Sequence, residues 1–339
     1  MHALPVFHAL RAAHPRARLG WVVQREFAPL LEGLPGLDEV LVFERRGGAH
    51  AWLELGRRLA RFGATWSVDA QGNLKSAMVA LTSRAQRRSG YAWSDWRERL
   101  GALSLTDAAA PAVERAATAH AVERALALAR YVAGADVPAR FDLGLSEAER
   151  AHGRATLAER APAGAEPLVL LAPARESDVR SWPVAHFAAL AHAAARAGLR
   201  VLVLSGPAEV AEGSRLQVEA AGHARITHWV AQRGLRELAG VFAAAAEQDA
   251  RFVGCDSGPL HLAAASGLAC VALHGPQDPR RTGPWPPPGA RDSAHRCVGA
   301  AAPPACAPCL SRRCTHARGP VCMGELAPER VLDTLLAYA

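Results

Sequence analysis

Apolar and polar positions along the chain follow two patterns, which alternate. Short apolar runs, typical of buried strands, are separated by longer stretches in which apolar residues return every three or four positions, as on one helix face. Such alternation predicts a parallel sheet with crossover helices. In the first half it predicts helices over 3–13, 26–34, 52–62, 73–84 and 116–133, and strands over 18–24, 39–44, 66–71 and 88–93.

A second alternating run follows a break in the pattern. Residues 159–167 contain two prolines and no periodicity, which predicts an interdomain linker. The domains are therefore expected at residues 1–158 and 168–326, followed by a terminal helix within 327–339. Strands are predicted over 168–172, 200–205, 225–230, 252–255 and 270–274, and helices beginning near 183, 208, 235 and 259. The predicted fold class is α/β, with two doubly wound Rossmann-like domains.

The composition of the chain indicates where the protein is located and which kinds of partner suit it. No apolar run reaches the ~18 residues that span a bilayer, and no signal-like segment follows Met1, so a cytoplasmic protein is expected. The net charge of +7 suits an acidic partner, such as nucleic acid, a membrane surface or an anionic small molecule. The arginines are scattered, only three tyrosines are present and no DNA-binding motif occurs, so nucleic acid is disfavoured.

The most informative motif is an apolar strand, Val253 to Cys255, that leads directly into Asp256, Ser257, Gly258 and a small-residue helix. The first amides of a helix lack internal partners and carry the positive end of its dipole, so this corner suits a phosphate group. A purely structural alternative is that Asp256 caps the helix and His261 lies on its surface.

The segment from Asp256 to Pro279 resembles the DSGPxHLAAA…ALxGPxDP signature of glycosyltransferase family 9, the lipopolysaccharide heptosyltransferases, and especially the type that adds the first heptose. The resemblance implies a GT-B fold, in which two domains face each other across a cleft and the last helix crosses back to the first domain. It implies inverting, metal-independent transfer of heptose from ADP-heptose to the lipopolysaccharide inner core, with no cofactor. Because that acceptor is membrane-bound, peripheral contact with the inner face of the inner membrane is also implied.

The resemblance extends to other candidate donor residues. Arg180 precedes Ser181, Trp182 and Pro183, as does the basic residue that contacts the donor diphosphate in the family, where it is usually lysine. Glu209 follows the strand over 200–205 and matches a glutamate that binds ribose, although Glu212 fits equally well. The donor site is therefore expected to contain Arg180, Glu209, Asp256, Ser257, Gly258 and His261.

A second group of residues suits the acceptor. The segment over 69–76 resembles the D-x-Q-G-x-x-K-S motif of heptosyltransferases, and it contains Lys75, the single lysine among 39 basic residues. Together with Arg97 and Arg124, Lys75 is expected to contact anionic groups of the acceptor. The alternative for both arginines is ordinary helix surface, and for Asp69 it is a buried carboxylate bonded to backbone.

Five of the seven cysteines cluster late in the chain, at positions 297, 306, 309, 314 and 322. Cys306 and Cys309 have a spacing found in metal sites, but relatives carry a similar tail that takes no part in transfer, so free thiols are expected and no metal ligand is assigned.

The catalytic residue remains unknown from the sequence. The residues from Met1 to Leu10 resemble the first helix of the family, which is preceded there by an apolar strand and a Gly-Asp loop. That aspartate is the family's general base, which accepts the proton of the attacking hydroxyl. No residue here aligns with it, and we expect translation to start upstream of Met1, with the first strand of the domain missing. Met1 as the true start of a fully active protein would refute this.

Two other functions stay open at the level of sequence. One is a different sugar-nucleotide transferase or an epimerase of the same architecture. The other is a catalytically inactive protein that binds a nucleotide sugar.

Overall fold

The structure is a computed structural model that describes residues 1–112, 119–219 and 223–338. The chain forms two compact units, Met1–Gly144 and Leu145–Ala339. No helix within the described residues is long and apolar enough to cross a membrane.

The first unit alternates helices and parallel strands, as the sequence predicts. Strands β1 and β2 form one parallel pair, and β3, β4 and β5 form a separate parallel sheet. In chain order its elements are α1 (Leu4–Ala13), β1 (Gly20–Gln24), α2 (Ala28–Leu31), β2 (Glu39–Phe43), α3 (Gly48–Phe62), β3 (Trp66–Asp69), α4 (Leu74–Thr82), β4 (Arg87–Gly90), β5 (Asp107–Ala108) and α5 (Ala121–Ala133), with short 3₁₀ helices at Arg25–Phe27, Trp93–Asp95 and Arg99–Ser104.

Local sequence signals set several boundaries in this unit. Helix α4 begins after Asn73, whose side chain accepts a hydrogen bond from the Ser76 amide, while the Ser76 hydroxyl accepts one from the Asn73 amide. Helix α3 ends at Gly63, which adopts the left-handed conformation that glycine tolerates at a helix end. The helix predicted over 116–133 begins at Ala121; residues 113–118 lie outside the described part of the chain.

The second unit is built on one six-stranded parallel sheet with the order β11-β10-β9-β6-β7-β8. In chain order its elements are α6 (Glu147–Arg160), β6 (Leu168–Ala172), α7 (Val184–Arg196), β7 (Arg200–Ser205), α8 (Val210–Glu219), β8 (Ile226–Val230), α9 (Leu235–Ala246), β9 (Arg251–Cys255), α10 (Gly258–Ala265), β10 (Ala269–Leu273), α11 (Pro279–Thr282), β11 (Arg296–Val298), α12 (Val321–Gly324) and α13 (Pro328–Leu336). Because the strands are parallel, the loops after β6, β7, β9 and β10 leave the same edge of the sheet.

The core of the second unit explains why its strands read as continuous apolar runs. Every residue of β6 is buried, and helices cover both faces of such parallel sheets. Trp182 and Phe187 are fully buried beside the sheet, and the indole N–H of Trp182 donates to the Leu326 carbonyl at 2.9 Å. This packing fixes the loop that precedes α7 and carries Arg180.

The boundary between the compact units differs from the linker expected at residues 159–167. The chain divides after Gly144, and α6, which the sequence analysis did not predict, packs against α9 of the second unit. Contact is close because Gly153 and Gly240 face each other without side chains. Helix α13, expected to cross back to the first domain, places Val331 and Leu335 in the core of the second unit.

The Gly153 contact gives a stability prediction. A Cβ atom at Gly153 would lie 2.2 Å from the Gly240 carbonyl oxygen, a backbone atom that moves only if the helices separate. Gly153→Ala is therefore expected to lower the free energy of unfolding by about 1–3 kcal/mol, despite the higher helix propensity of alanine. Urea unfolding measures this, with Gly324→Ala as a control because a Cβ there meets no atom within 4 Å. A Gly153→Ala protein as stable as the wild type would show that α6 and α9 do not pack in this way.

Candidate functional site

The corner between β9 and α10 is open where the sequence predicts an anion site. Ser257 is the N-cap residue of α10 and has an extended backbone, but its side chain makes no capping hydrogen bond. Gly258, the first helical residue, is exposed, and a Cβ atom built on it would meet no atom within 4 Å. The first amides of α10 therefore face accessible space, where an anion can approach the backbone.

Asp256 is buried directly beneath this corner and is not the helix cap. Only 7% of its surface is exposed. Its Oδ1 atom lies 3.1 Å from His261 Nε2, and its Oδ2 atom accepts a hydrogen bond from the Thr282 hydroxyl at 3.3 Å. Burial by itself would raise the pKa of Asp256. The hydrogen bond with His261 and the nearby positive groups outweigh this effect, so the pKa lies below its usual value. Asp256 is therefore a carboxylate that joins α10 to α11.

Arg180 connects the loop after β6 to the same corner. Its Nη1 atom donates to the Asp256 carbonyl oxygen at 2.9 Å, and the guanidinium makes a two-pronged contact with the Asp178 carboxylate, at 3.0 and 2.7 Å. The hydrogen bond with Asp178 raises the pKa of Arg180. The guanidinium is thereby held beside the start of α10, although Asp178 offsets part of its charge.

The glutamates after β7 face the loop that carries Arg180. Glu209 Oε1 accepts a hydrogen bond from Arg175 Nε at 3.1 Å, and Glu212 Oε1 accepts one from the Glu176 amide at 3.3 Å. The structure therefore brings both carboxylates to the edge of the sheet where Arg180 and Asp256 lie, and it does not choose between them as a ribose partner.

His274, which the sequence analysis did not single out, is buried in this cluster. It follows β10, whose last residue, Leu273, pairs in register with Cys255, so His274 lies beside Asp256 across neighbouring strands. Only 5% of its surface is exposed, and neither ring nitrogen has a hydrogen-bond partner within the described chain. Burial lowers its pKa to about 4, against the opposing charge of Asp256. The imidazole is therefore neutral at pH 7, with one nitrogen able to donate.

The depressed pKa of His274 makes stability depend on pH. Between its ordinary value of 6.5 and its folded value of about 4, the unfolded chain binds the proton more readily. The stability that comes from neutral His274 is thus fully present above pH 6.5 and is lost as the pH falls toward 4. We expect His274→Phe, which cannot titrate, to lose less stability than the wild type between pH 7 and pH 5, by no more than about 2 kcal/mol. Urea unfolding at both pH values measures this, and equal losses in the two proteins would contradict it.

In the first unit, the residues expected at the acceptor site gather around residues 95–98. Arg124 Nη1 donates to the Asp95 carbonyl at 3.2 Å, and the Arg97 amide donates to the Gly72 carbonyl at 3.0 Å in the turn before α4. Lys75, in the first turn of α4, and Arg97 are both exposed. Arg124, on α5, is instead partly buried.

Asp69, at the end of β3, holds the turn that precedes α4. Its Oδ1 atom accepts hydrogen bonds from the Gln71 and Gly72 amides at 2.8 and 2.9 Å, while Oδ2 is buried without a partner within the described residues. Burial raises its pKa. This is the backbone-bonded carboxylate that the sequence analysis considered as the structural alternative.

Four of the five late cysteines line a cavity together with His316. Cys306, Cys309 and Cys314 are exposed and Cys322 is buried, all as free thiols. Among the residues that the structure describes, no group of three or more histidine, cysteine or acidic side chains is arranged to hold a metal ion.

Comparison with known proteins agrees with the family resemblance. The model of glycosyltransferase family 9 (heptosyltransferase) matches residues 52–317. Lipopolysaccharide heptosyltransferase 1 of Pseudomonas aeruginosa is 29% identical, over 99% of this chain and 94% of that protein. The Salmonella typhimurium protein of the same name is 28% identical, over 82% of this chain and 85% of its own length.

Solved structures show the same fold at lower identity. A family 9 glycosyltransferase from Veillonella parvula superposes with a TM-score of 0.76 at 16% identity, covering all of this chain and 94% of that one. The E. coli heptosyltransferase WaaC, solved with ADP, gives 0.71 at 22% identity and covers 100% and 95% of the two chains. These similarities confirm the predicted GT-B fold class.

Proposed function

The chain belongs to glycosyltransferase family 9, and we propose that it moves heptose from ADP-heptose to the inner core of lipopolysaccharide, with inversion and without a metal ion. The relatives named for heptosyl transfer cover 99% and 82% of the chain, and a related E. coli enzyme has been solved with ADP. The single observation that carries the proposal is the open first turn of α10 above buried Asp256.

The geometry of the second unit suits leaving-group stabilisation. When the bond between the anomeric carbon and the diphosphate oxygen breaks, negative charge grows on the diphosphate. The amides at Ser257 and Gly258 and the guanidinium of Arg180 are held by the fold before the reaction, so they can stabilise that charge with little rearrangement. Fixed donors of this kind can replace the metal ion that neutralises a diphosphate in other enzymes.

The remaining residues have supporting roles in this proposal. Asp256 orients His261, which can reach the diphosphate or the donor sugar from the next turn of α10. Glu209 accepts hydrogen bonds from the ribose hydroxyls. In the first unit Lys75, Arg97 and Arg124 contact the phosphates and carboxylates of the acceptor. We assign no general base among the described residues.

Membrane contact is part of the same proposal. The acceptor is a lipid-anchored, anionic molecule, so the protein must work at the surface of a bilayer that contains it. We therefore propose peripheral contact with the inner face of the inner membrane, in keeping with the net charge of +7.

Product analysis tests the proposed reaction. The protein is incubated with an inner-core acceptor and with ADP-heptose, UDP-glucose or UDP-N-acetylglucosamine, and products are identified by mass spectrometry. We expect a product heavier by one heptose unit, formed from ADP-heptose alone and unaffected by EDTA. Epimerised donor without transfer, or equal use of the UDP sugars, would contradict the assignment. Tight binding of ADP-heptose without turnover would point to an inactive binding protein.

A further inference from the structure

Large apolar side chains are exposed unusually densely on one part of the first unit. Of the twelve large hydrophobic residues that are exposed in the described chain, six lie between positions 74 and 103. An apolar concentration of this kind marks a surface that binds something, whereas isolated exposed apolar residues are ordinary.

Five of these side chains come from two helices that pack together, α4 and the 3₁₀ helix Arg99–Ser104. The two helices meet where Gly101 lies against Trp96 and Ala77, since a Cβ atom on Gly101 would be 3.3 Å from the Ala77 methyl group. The exposed side chains are Leu74, Met78 and Leu81 on α4 and Leu100 and Leu103 on the 3₁₀ helix.

The spacing of these residues gives each helix a single apolar edge. Leu74, Met78 and Leu81 are four and then three positions apart, so they form one stripe along α4. Leu100 and Leu103 are three apart, which places them one above the other on a 3₁₀ helix, and they are 69% and 73% exposed. Trp93, also exposed, lies in the neighbouring 3₁₀ helix that contacts Arg99–Ser104.

Cations without partners flank the apolar edges. Four basic side chains are exposed in or beside these helices and make no ion pair or side-chain hydrogen bond in the structure's described part: Lys75, Arg84, Arg97 and Arg99. The neighbouring acid, Glu98, accepts a hydrogen bond from the neutral Leu74 amide at 2.7 Å and keeps its negative charge. Four cations against this one acid leave the surface with an apolar strip and a net positive charge.

We propose that this surface, formed by Leu74, Met78, Leu81, Leu100 and Leu103 with its four flanking cations, docks on a bilayer of anionic phospholipid. Apolar side chains beside lysine and arginine are the combination that inserts into the headgroup boundary while the cations bind acidic headgroups. This surface would make the membrane contact of the proposed function, and only its biological purpose, not its binding to lipid, rests on that function. Acceptor-binding residues Lys75 and Arg97 border the same surface, which would bring a lipid-anchored acceptor to them.

Vesicle cosedimentation tests the proposal with the full chain. Vesicles of phosphatidylethanolamine and phosphatidylglycerol are compared with vesicles of phosphatidylcholine alone. We expect binding to the anionic vesicles, weakened by salt, and at least roughly tenfold weaker binding for Leu100→Ser/Leu103→Ser. Arg84→Ser/Arg99→Ser is expected to weaken binding to the anionic vesicles and to reduce its salt dependence, of which Lys75 and Arg97 supply the remainder. The matched control is Leu53→Ser/Val218→Ser, which changes side chains that are 54% and 70% exposed outside this surface.

Other outcomes would overturn the proposal. These are absence of vesicle binding, equal binding by Leu100→Ser/Leu103→Ser and the wild type, or a wild-type dimer that this variant dissociates without any vesicle binding. The last result would assign the surface to a second copy of the chain. Circular dichroism and thermal unfolding confirm that each variant folds.

An activity measurement separates this inference from the proposed function. Leu100→Ser/Leu103→Ser is expected to keep wild-type turnover on a deacylated core acceptor and to lose activity on the same acceptor in vesicles. Vesicle binding by a wild-type protein that transfers no heptose would refute the proposed function and leave the docking surface standing.

Discussion

Gly258→Val is expected to abolish most ADP binding while leaving the protein folded. The first helical residue of α10 has no left-handed backbone, and apart from its chain neighbours no atom lies within 4 Å of a Cβ built on it. The side chain of valine would occupy the space through which a diphosphate approaches the amides at Ser257 and Gly258. Hydrogen bonds to a charged group contribute about 1.5–3 kcal/mol each, so losing two of them should weaken ADP binding by roughly 100-fold or more.

Gly324→Val provides the matched control for this experiment. Gly324 also lies in a helix of the second unit and also has no atom within 4 Å of a built Cβ. Both variants should unfold within a few degrees of the wild type, and the control should bind ADP normally in calorimetric titration. Wild-type affinity for ADP in folded Gly258→Val would mean that the diphosphate does not approach this helix end.

Asp256→Ala is expected to lower kcat/KM by roughly 30- to 3000-fold, which corresponds to about 2–5 kcal/mol for removing one partner of a buried, hydrogen-bonded charge pair. Asp256 is the common partner of His261 and Thr282, so alanine would remove one hydrogen-bond partner from each side chain. The loss should be shared between weaker donor binding and slower turnover, because His261 would lose its contact with the Asp256 carboxylate.

Asp256→Asn separates the effect of side-chain size from the effect of negative charge at position 256. Asparagine keeps the size of the side chain but has a single acceptor oxygen, whereas His261 and Thr282 lie at different carboxylate oxygens. Its activity should therefore fall between those of Asp256→Ala and the wild type. Asp333→Asn, an exposed substitution on α13, controls for loss of one negative charge. Steady-state kinetics with circular dichroism measure these effects, and near-wild-type activity of folded Asp256→Ala would exclude the proposed role.

The alternation of strands and helices could be predicted from the sequence because the second unit buries its strands on both faces. Strands such as β6 and β7 are therefore unbroken apolar runs, and their predicted bounds agree with the structure. Helix α6 was not predicted because it buries only Gly153, Thr156 and Leu157. It therefore lacks the apolar stripe by which the other helices were predicted. The contact that joins α6 to α9 is made by two glycines, so the sequence pattern gives no sign that α6 belongs to the second compact unit.

The candidate site was predictable wherever its chemistry lies in contiguous sequence. The strand, turn and helix around Asp256 are enough to predict an anion site, and the structure leaves that corner accessible, so the anion site stays a prediction. Contacts made across the fold were not predictable. The link from Arg180 to the Asp256 carbonyl joins residues 76 positions apart. His274 has no local signal, because only the register of β9 with β10 reveals its neighbour.

The most direct test of the site measures how much the diphosphate contributes to the affinity for ADP. Calorimetric titration would compare the affinities of ADP and adenosine for the wild-type protein and for Gly258→Val. If α10 holds the diphosphate, the wild type should bind ADP at least roughly 100-fold more tightly than adenosine, and Gly258→Val should bind both with similar, weak affinity. Equal affinity of the wild type for ADP and adenosine would contradict a diphosphate site at this helix.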